Sequence, residues 1–270
     1  MEKCDKMKIS IVGCGFVGSA VAFGFECDGN EIQLIDPKHN TSVSDVKKFQ
    51  PDLTFVCVPT PTVNGRVDRT IVDVVTSELA EINSGITVVK STMTPDIADD
   101  ICGKYGFVYN PEFLTQDNAQ YEFRNPQFHV LGGDFEKCKF VASAYINNSS
   151  VMPCRTFYMT VKEASMVKYA INSFLATKVV WFNQLRDLCQ SSDIDYNYVR
   201  DVVGEDKRIN RSHTKAPGHD HRRGFGGACF PKDTRALLTF AFDYLSHFTI
   251  LNEAVTYNNR HYRENEYGGL

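Results

Sequence analysis

The cysteine at position 229 lies in a sequence environment unlike those of the other cysteines in the chain. A glycine-rich run at 224–227 precedes it, and glycines allow a backbone to approach a ligand closely. Neighbouring cations favour the thiolate, the nucleophilic form of cysteine; they are Arg222, Arg223 and Lys232. The residues alone leave two interpretations of Cys229 open, a reactive thiol and a packed one. Asp233 could cap the helix that follows, orient a water molecule, or do both.

A second chemical signature is a G-x-G-x-x-G turn formed by Gly13, Gly15 and Gly18. It follows an apolar run at 8–12 and opens a helical pattern, and Asp36 ends the next apolar run. Such glycines let a pyrophosphate approach the positive end of a helix, while the acid hydrogen-bonds a ribose 2′-hydroxyl. The charge of Asp36 would repel a 2′-phosphate, which favours NAD over NADP. A glycine turn without a ligand is the weaker alternative.

The elements that must position these residues change in character along the chain. Strands are predicted at 8–12, 31–35, 53–58 and 86–89, with a helix at 71–79 between the last two. This alternation predicts an α/β fold with a Rossmann-type doubly wound parallel sheet, followed by an all-α domain. In the second part, helices are predicted at 163–188, 193–203, 233–244 and 248–263, and a loop at 207–227.

Three segments follow from this pattern. We expect an NAD-binding domain over 1–158, a helical central domain with the cysteine loop over 159–264, and a polar tail over 265–270. The helices predicted at 163–188 and 248–263 are long for so small a domain. Their apolar faces therefore predict a homodimer formed through the helical domain.

Composition excludes several classes of protein. The 270 residues carry 29 Lys and Arg against 33 Asp and Glu, a net charge of −4 that argues against a nucleic-acid partner. No apolar run reaches the length of a membrane span, and the start has no apolar signal region. The nine cysteines show no C-x-x-C spacing, which indicates reduced thiols of a cytoplasmic protein. His219 and His221 flank an acid, but without a further cluster we expect no metal site.

Seven motifs occur along residues 7 to about 264 in one order. They are G-C-G-F-V-G at 13–18, C-V-P-T-P at 57–61, K-S-T at 90–92, N-P-E-F-L at 110–114, E-A-S-M-V-K-Y-A-I-N-S-F-L-A-T-K at 163–178, D-K-R-I at 206–209 and G-F-G-G-A-C-F-P-K-D at 224–233. In these motifs and their order the chain resembles the UDP-glucose/GDP-mannose 6-dehydrogenase family.

The resemblance implies a four-electron oxidation of a nucleotide sugar with two NAD+, and within the family it favours UDP-glucose, oxidised to UDP-glucuronate. Cys229 matches the nucleophile that forms a thiohemiacetal and then a thioester. Lys168 and Asn172 match the pair that stabilises the oxyanion, and their i, i+4 spacing puts them on one helix face. Asp233 matches the acid that helps to activate the hydrolytic water.

Further roles are implied by the same motifs. Glu112 matches a general base or water-ordering acid, and Thr92 matches a threonine that orders water near the sugar. The implied NAD contacts are Gly13, Gly15, Phe16, Val17, Gly18, Asp36, Thr60, Pro61 and Thr92, with Thr60 and Pro61 beside the nicotinamide. The implied substrate contacts are Phe113, Leu114, Lys168, Asn172, Arg208, Phe225, Gly226 and Gly227.

The sequence departs from the family pattern in three places. Gln116 stands where the family has a second acid, and glutamine cannot exchange a proton. The segment between Arg208 and Cys229 is enlarged and basic, which suggests that it gathers the substrate diphosphate with Arg222 and Arg223. The family continues into a second α/β domain that holds much of the nucleotide, and we expect this domain to be absent here.

Two other functions stay open. A β-hydroxyacid-type dehydrogenase shares the NAD domain and a helical domain but transfers one hydride without a nucleophilic cysteine, so the Cys229 loop argues against it. A non-catalytic NAD- or nucleotide-sugar-binding protein is favoured by Gln116 and by the expected lack of the third domain. The number of NADH formed per sugar separates these functions.

Overall fold

The computed structural model describes residues 6–27, 29–115 and 118–263. The predicted tail over 265–270 and the Gln116 substitution lie outside these ranges. The chain forms two compact units. The first contains Met1–Pro61 and Val67–Lys168, and the second contains Thr62–Arg66 and Tyr169–Leu270.

A seven-stranded sheet forms the centre of the first unit. Its strands are β1 (Lys8–Val12), β2 (Glu31–Ile35), β3 (Leu53–Val56), β6 (Ile86–Val89), β7 (Val108–Tyr109), β8 (Phe128–Gly132) and β9 (Arg155–Met159). They lie in the order β2-β1-β3-β6-β7-β8-β9, and every pair is parallel except β7 with β8. The order diverges between β1 and β3, which is the point where such sheets bind ligands at their carboxyl ends.

Helices cover both faces of this sheet. They are α1 (Phe16–Phe25), α2 (Val43–Phe49), α3 (Thr70–Ala80), α4 (Pro95–Tyr105), α5 (Ala119–Arg124) and α6 (Phe135–Asn147). Successive strand residues point to opposite faces: Val56 packs in one core cluster with α2, α3 and α4, whereas Phe55 packs in another with α1 and α6. The predicted α/β class is thereby confirmed.

The second unit is built mainly of helices. They are α7 (Val161–Ser191), which begins in the first unit, α8 (Tyr196–Glu205), α9 (Phe230–Asp243) and α10 (Thr249–His261). A short hairpin consists of β4 (Thr62–Val63) and β5 (Arg66–Val67), and its residues Thr62–Arg66 belong to this unit. There Arg66 makes two hydrogen bonds to Asp243, of 2.6 and 2.9 Å. Within the described ranges no helix, α7 included, is both long and apolar enough to cross a membrane.

Several predicted boundaries were wrong for local reasons. The strand predicted over 53–58 ends at Val56, before Pro59 and Pro61. The helix predicted from 193 begins at Tyr196, because the Asp195 carboxylate accepts hydrogen bonds from the next backbone N–H groups and caps it. The helix predicted from 233 begins at Phe230, since Pro231 suits the first turn of a helix.

Candidate active site

The glycine turn of the first unit leaves an open face at the start of α1. Gly13 has a φ of +91°, and a Cβ on it would lie 2.8 Å from the backbone of Cys57. A Cβ on Gly18 would lie 2.0 Å from the carbonyl oxygen of Gly13. Beside Gly15, the N-cap of α1, the described part of the chain leaves open space. A pyrophosphate fits this face, because a helix N-terminus favours an anion.

Asp36 is joined to the same turn. Its carboxylate accepts hydrogen bonds from the backbone N–H of Cys14, at 2.8 Å, and of Lys38, at 2.9 Å. The bonds from Lys38 and Cys14 hold the pKa of this carboxyl below its ordinary value. An ionised acid beside the turn can still accept a bond from a ribose hydroxyl, as NAD requires. Phe16 is exposed here, whereas Val17 packs at the edge of the core.

The ends of β3 and β6 bring two further predicted residues together. The Thr60 hydroxyl donates to the backbone carbonyl of Thr92 at 2.6 Å, and the Ser91 hydroxyl donates to that of Val58 at 2.7 Å. These bonds fix both strand ends at the edge of the sheet that carries the glycine turn. Pro61 follows Thr60 and is exposed.

Glu112 forms a buried ion pair that the sequence analysis did not foresee. Its carboxylate lies 2.9 Å from the Nζ of Lys90, and the two side chains are only 16 % and 3 % exposed. Burial is the largest single effect on the pKa of Lys90 and lowers it, but the charge and hydrogen bond of Glu112, together with Tyr145 and Cys57, raise that pKa above its ordinary value. Glu112 also accepts a bond from the Phe113 N–H at 2.9 Å. Two fixed donors therefore orient this carboxylate.

A buried polar network surrounds the ion pair. Lys90 donates to the Asn110 side-chain oxygen at 2.9 Å, and the Tyr145 hydroxyl donates to the same oxygen at 2.8 Å. The ring of His129 stacks on that of Tyr145 at 4.4 Å. Burial, reinforced by the charge of Lys90, lowers the pKa of His129 to about 4, so this imidazole is neutral at pH 7.

Lys168 lies near the residues that follow Glu112. It is buried, and its Nζ is 5.3 Å from the ring centroid of Phe113. This distance is in the range of a cation–π contact. Leu114 packs at the edge of the core instead. Phe113 therefore places an aromatic ring beside this ammonium group.

In the second unit, Cys229 and Asp233 are one helical turn apart. Cys229 is exposed and is the N-cap of α9, and the Asp233 N–H donates to its carbonyl oxygen at 2.8 Å. The Asp233 side chain is buried, where its two oxygens accept bonds from Asn172, at 2.6 Å, and from Lys232, at 2.5 Å. Because α9 begins at Phe230, Asp233 lies inside the first turn and does not cap the helix, which corrects that expectation.

Two of the three cations that flank Cys229 in the sequence form ion pairs. Lys232 is paired with Asp233, and Arg223 is paired with Asp187 at 2.6 Å, so carboxylates match both charges. Cys229 itself lies at the N-cap of α9, the positive end of the helix dipole. Of the eight cysteines in the described ranges, Cys229 is the exposed one.

The residues before Cys229 form a loop with one buried and one exposed end. Phe225 is buried, Gly226 is half-buried, and Gly227 is exposed with a φ of +77°. Side chains from α7 and α10 bind the backbone at the buried end. The exposed end leads to the nucleophile candidate.

Ion pairs also hold side chains of the basic stretch upstream. Arg208 is exposed and makes two bonds to Asp206, of 3.0 and 2.6 Å, and Arg211 pairs with Glu205. Asp220 pairs with Arg263 at 2.5 Å. Within the described ranges no three His, Cys, Asp or Glu side chains are grouped so as to hold a metal ion.

The predicted residues for which the structure shows contacts or a cradle divide between the two units. The first unit contains Gly13, Gly15, Gly18, Asp36, Thr60, Thr92, Glu112, Phe113 and Lys168, and the second contains Asn172, Cys229 and Asp233. Sequence analysis missed Lys90 and Asn110, although both lie in quoted motifs. It also missed Asn183 and Asn258, which no motif marks.

Comparison with known families decides the assignment. The model of the UDP-glucose/GDP-mannose dehydrogenase family, NAD binding domain, matches residues 38–148, and that of its central domain matches 162–260. The chain belongs to this family. NAD is accordingly its cofactor. A solved structure, a UDP-glucose dehydrogenase from Pyrobaculum islandicum, has a TM-score of 0.79 at 25 % identity and covers 96 % of this chain and 70 % of that chain.

Curated relatives in this family are longer than the chain. UDP-glucose 6-dehydrogenase TuaD of Bacillus subtilis is 28 % identical, over 94 % of this chain and 63 % of that protein. UDP-glucose 6-dehydrogenase AglM of Haloferax volcanii is 27 % identical, over 87 % of this chain and 65 % of that protein. The chain therefore spans somewhat less than two thirds of the length of these relatives.

Proposed function

We propose that this chain oxidises the primary alcohol of a nucleotide sugar to a carboxylate in two NAD-dependent steps, with Cys229 as the nucleophile. The observation that carries the proposal is the exposed thiol at the N-cap of α9, one turn from the buried Asp233–Asn172 pair. Membership of the family supports the substrate class. UDP-glucose, giving UDP-glucuronate, is the first substrate to test.

The roles of the residues follow from their chemistry. NAD, when bound, supplies the hydride acceptor for each oxidation. After the alcohol is oxidised to an aldehyde, the Cys229 sulfur adds to its carbon and forms a thiohemiacetal, whose oxygen the Lys168 ammonium and the Asn172 amide stabilise. The second oxidation converts this adduct to a thioester. Water then attacks the carbonyl carbon, the C–S bond breaks, and the thiolate leaves.

Hydrolysis requires an acceptor for the proton of the attacking water. Asp233 supports this role, because each of its oxygens keeps a lone pair beyond the bonds from Asn172 and Lys232. Glu112, fixed by Lys90 and the Phe113 N–H, is the second candidate and is suited to orienting water. Thr92 is proposed to hold water near the sugar.

NADH formation with UDP-glucose, GDP-mannose and UDP-N-acetylmannosamine tests the proposal. Two NADH per sugar are expected for the wild-type chain, and none of the carboxylate for Cys229→Ser. Full two-step turnover by Cys229→Ser would refute the nucleophile. One NADH with a hydroxy acid would instead indicate a β-hydroxyacid dehydrogenase, and no NADH with any substrate would indicate a binding protein.

We also propose that the protein is a homodimer. Phe174, Trp181 and Leu188 recur at heptad spacing on α7 and are 68 %, 53 % and 62 % exposed. A stripe of this kind on one helix fits a second helix of the same type. Sedimentation equilibrium should give a dimer for the wild type and a monomer for Trp181→Glu. A wild-type monomer would contradict the proposal.

The proposed domain organisation is an NAD-binding domain over 1–158 and a helical domain over 159–264. The family models, which end at 148 and begin at 162, support this division. The compact units divide slightly later, at Lys168, because α7 begins in one unit and continues into the other. The eight cysteines of the described ranges are free thiols, as is usual in a reducing compartment, and we propose that the protein works in the cytoplasm.

A further inference from the structure

A single side chain binds both backbone groups of Phe225 in the loop before Cys229. Asn258 on α10 is 0 % exposed. Its Oδ1 accepts a hydrogen bond from the Phe225 N–H at 2.8 Å, and its Nδ2 donates to the Phe225 carbonyl at 3.1 Å. A planar amide that binds the N–H and the C=O of one residue fixes the direction of the backbone on both sides of it.

Two more side chains bind the residues just before Phe225. The Asn183 side chain on α7 accepts bonds from the Gly224 N–H at 3.1 Å and from the Arg223 Nε at 2.6 Å. The Nε of Arg263 donates to the Arg223 carbonyl at 2.7 Å. We call Asn183, Asn258 and Arg263 the loop clamp. All three are buried, so these bonds are shielded from water.

The glycine at position 224 is matched to the clamp. It has a φ of +70°, and a Cβ on it would lie 2.3 Å from the Asn258 Oδ1. At the other end of the loop, Cys229 is held as the N-cap of α9. Only residues 226–228, two glycines and an alanine, separate the clamped backbone from the thiol. A loop of such small residues needs fixed ends to keep one conformation.

We propose that Asn258 is a positioning residue, which fixes Phe225 and thereby sets the approach of the Cys229 sulfur to the substrate carbon. The inference deepens the proposed function and rests on it. Asn258 itself touches no reacting atom. A nucleophile that is displaced by a fraction of an ångström loses rate even when its own chemistry is intact, so the effect is expected in kcat.

Three variants test the inference. Asn258→Leu keeps the size of the side chain and loses both bonds, whereas Asn258→Asp keeps the acceptor for the Phe225 N–H and loses the donor. The matched control is Asn252→Ala, an exposed asparagine on the same helix. Amide exchange of the peptide covering 222–230 reports on the loop, and kcat and KM report on the site.

We expect Asn258→Leu to speed exchange at the Phe225 N–H and to lower kcat, each by about tenfold, as for the loss of a buried hydrogen bond. The KM for NAD should stay within about twofold, because the NAD contacts lie in the other unit. Asn258→Asp should fall between Asn258→Leu and the wild type, and it carries the test if Asn258→Leu does not fold.

Faster exchange with unchanged kcat would make Asn258 merely structural and overturn the inference. Unchanged exchange in Asn258→Leu would show that Asn258 does not fix the loop, and it would also overturn the inference. A wild-type chain that forms no NADH would instead refute the proposed function. The two failures can be told apart, because the role of Asn258 is refuted on its own only when the wild-type chain is active.

Discussion

The buried ion pair of Lys90 and Glu112 makes an unusually clear prediction for stability. Lys90→Met leaves a carboxylate that is 16 % exposed without its cation, and removes a 2.9 Å bond to Asn110. Breaking one side of a buried pair costs about 3–5 kcal/mol. That is a large part of the roughly 5–15 kcal/mol by which domains are stable. Urea unfolding followed by far-UV circular dichroism measures the loss.

A double-mutant cycle separates charge from packing. Glu112→Gln alone leaves the ammonium buried and unpaired, while Lys90→Met/Glu112→Gln removes both charges, so the double variant should lose less stability than the sum of the single ones. Lys162→Met is the control, because Lys162 and Asp99 form an exposed pair, and it should cost less than about 1 kcal/mol. Additive single losses, or a Lys90→Met loss no larger than the control, would refute the reasoning.

The same pair predicts a pH dependence. Folding raises the pKa of Lys90 above its ordinary value of 10.5, because the lowering by burial is exceeded by the combined effect of Glu112, Tyr145 and Cys57. A raised pKa contributes stability that is fully present below the unfolded value and is lost as pH rises through the folded one. The loss caused by Lys90→Met should therefore be equal at pH 7 and pH 9, and should shrink only above the ordinary value.

Further predictions concern four other residues. Folding lowers the pKa of His129 from 6.5 to about 4, so the free energy of unfolding should fall by up to about 3 kcal/mol as the pH drops from 6.5 towards 4. His129→Phe should make the urea midpoint less dependent on pH over this range, and an unchanged pH dependence would contradict the prediction. Asp36→Ala should lower the affinity for NAD, measured by calorimetry, by about tenfold and should reduce the ratio of NAD affinity to NADP affinity. An NAD affinity equal to that of the wild type would count against the role of Asp36. Arg208→Ala should raise the KM for the nucleotide sugar several-fold and leave the free energy of unfolding unchanged, since its exposed pair with Asp206 contributes little to stability. Arg223→Ala should raise this KM and also lower the free energy of unfolding, because Arg223 loses its bonds to Asn183.

The fold was predictable because its signals are local. The glycine turn between β1 and α1 and the acid after β2 mark a nucleotide-binding sheet without any long-range information. Three strands of the sheet, β7, β8 and β9, were not predicted, and β7, with two residues, is too short to show a period. Two predicted helix starts were wrong by three residues each, because a single capping residue, Asp195, or a single first-turn proline, Pro231, sets where the helix begins.

The candidate site was predictable only where a motif carries it. Asn172 and Asp233 are far apart in sequence, and the motifs named both, but not their 2.6 Å contact. Lys90 stood inside K-S-T, yet its partner Glu112 comes from another segment, and only the sheet brings them together. Asn258 had no signal at all, since a buried asparagine on an amphipathic helix resembles any polar interruption of its apolar face.

The proposed mechanism depends most on a covalent bond between Cys229 and the substrate. The direct measurement uses Asp233→Asn, the variant in which hydrolysis of the thioester should be slowest. The variant is quenched with acid during turnover with UDP-glucose and NAD, and its peptides are analysed by mass spectrometry. A uronyl adduct is expected on the peptide that contains Cys229, and it should be absent from Asp233→Asn/Cys229→Ser. NADH formation without any adduct on Cys229 would contradict the account.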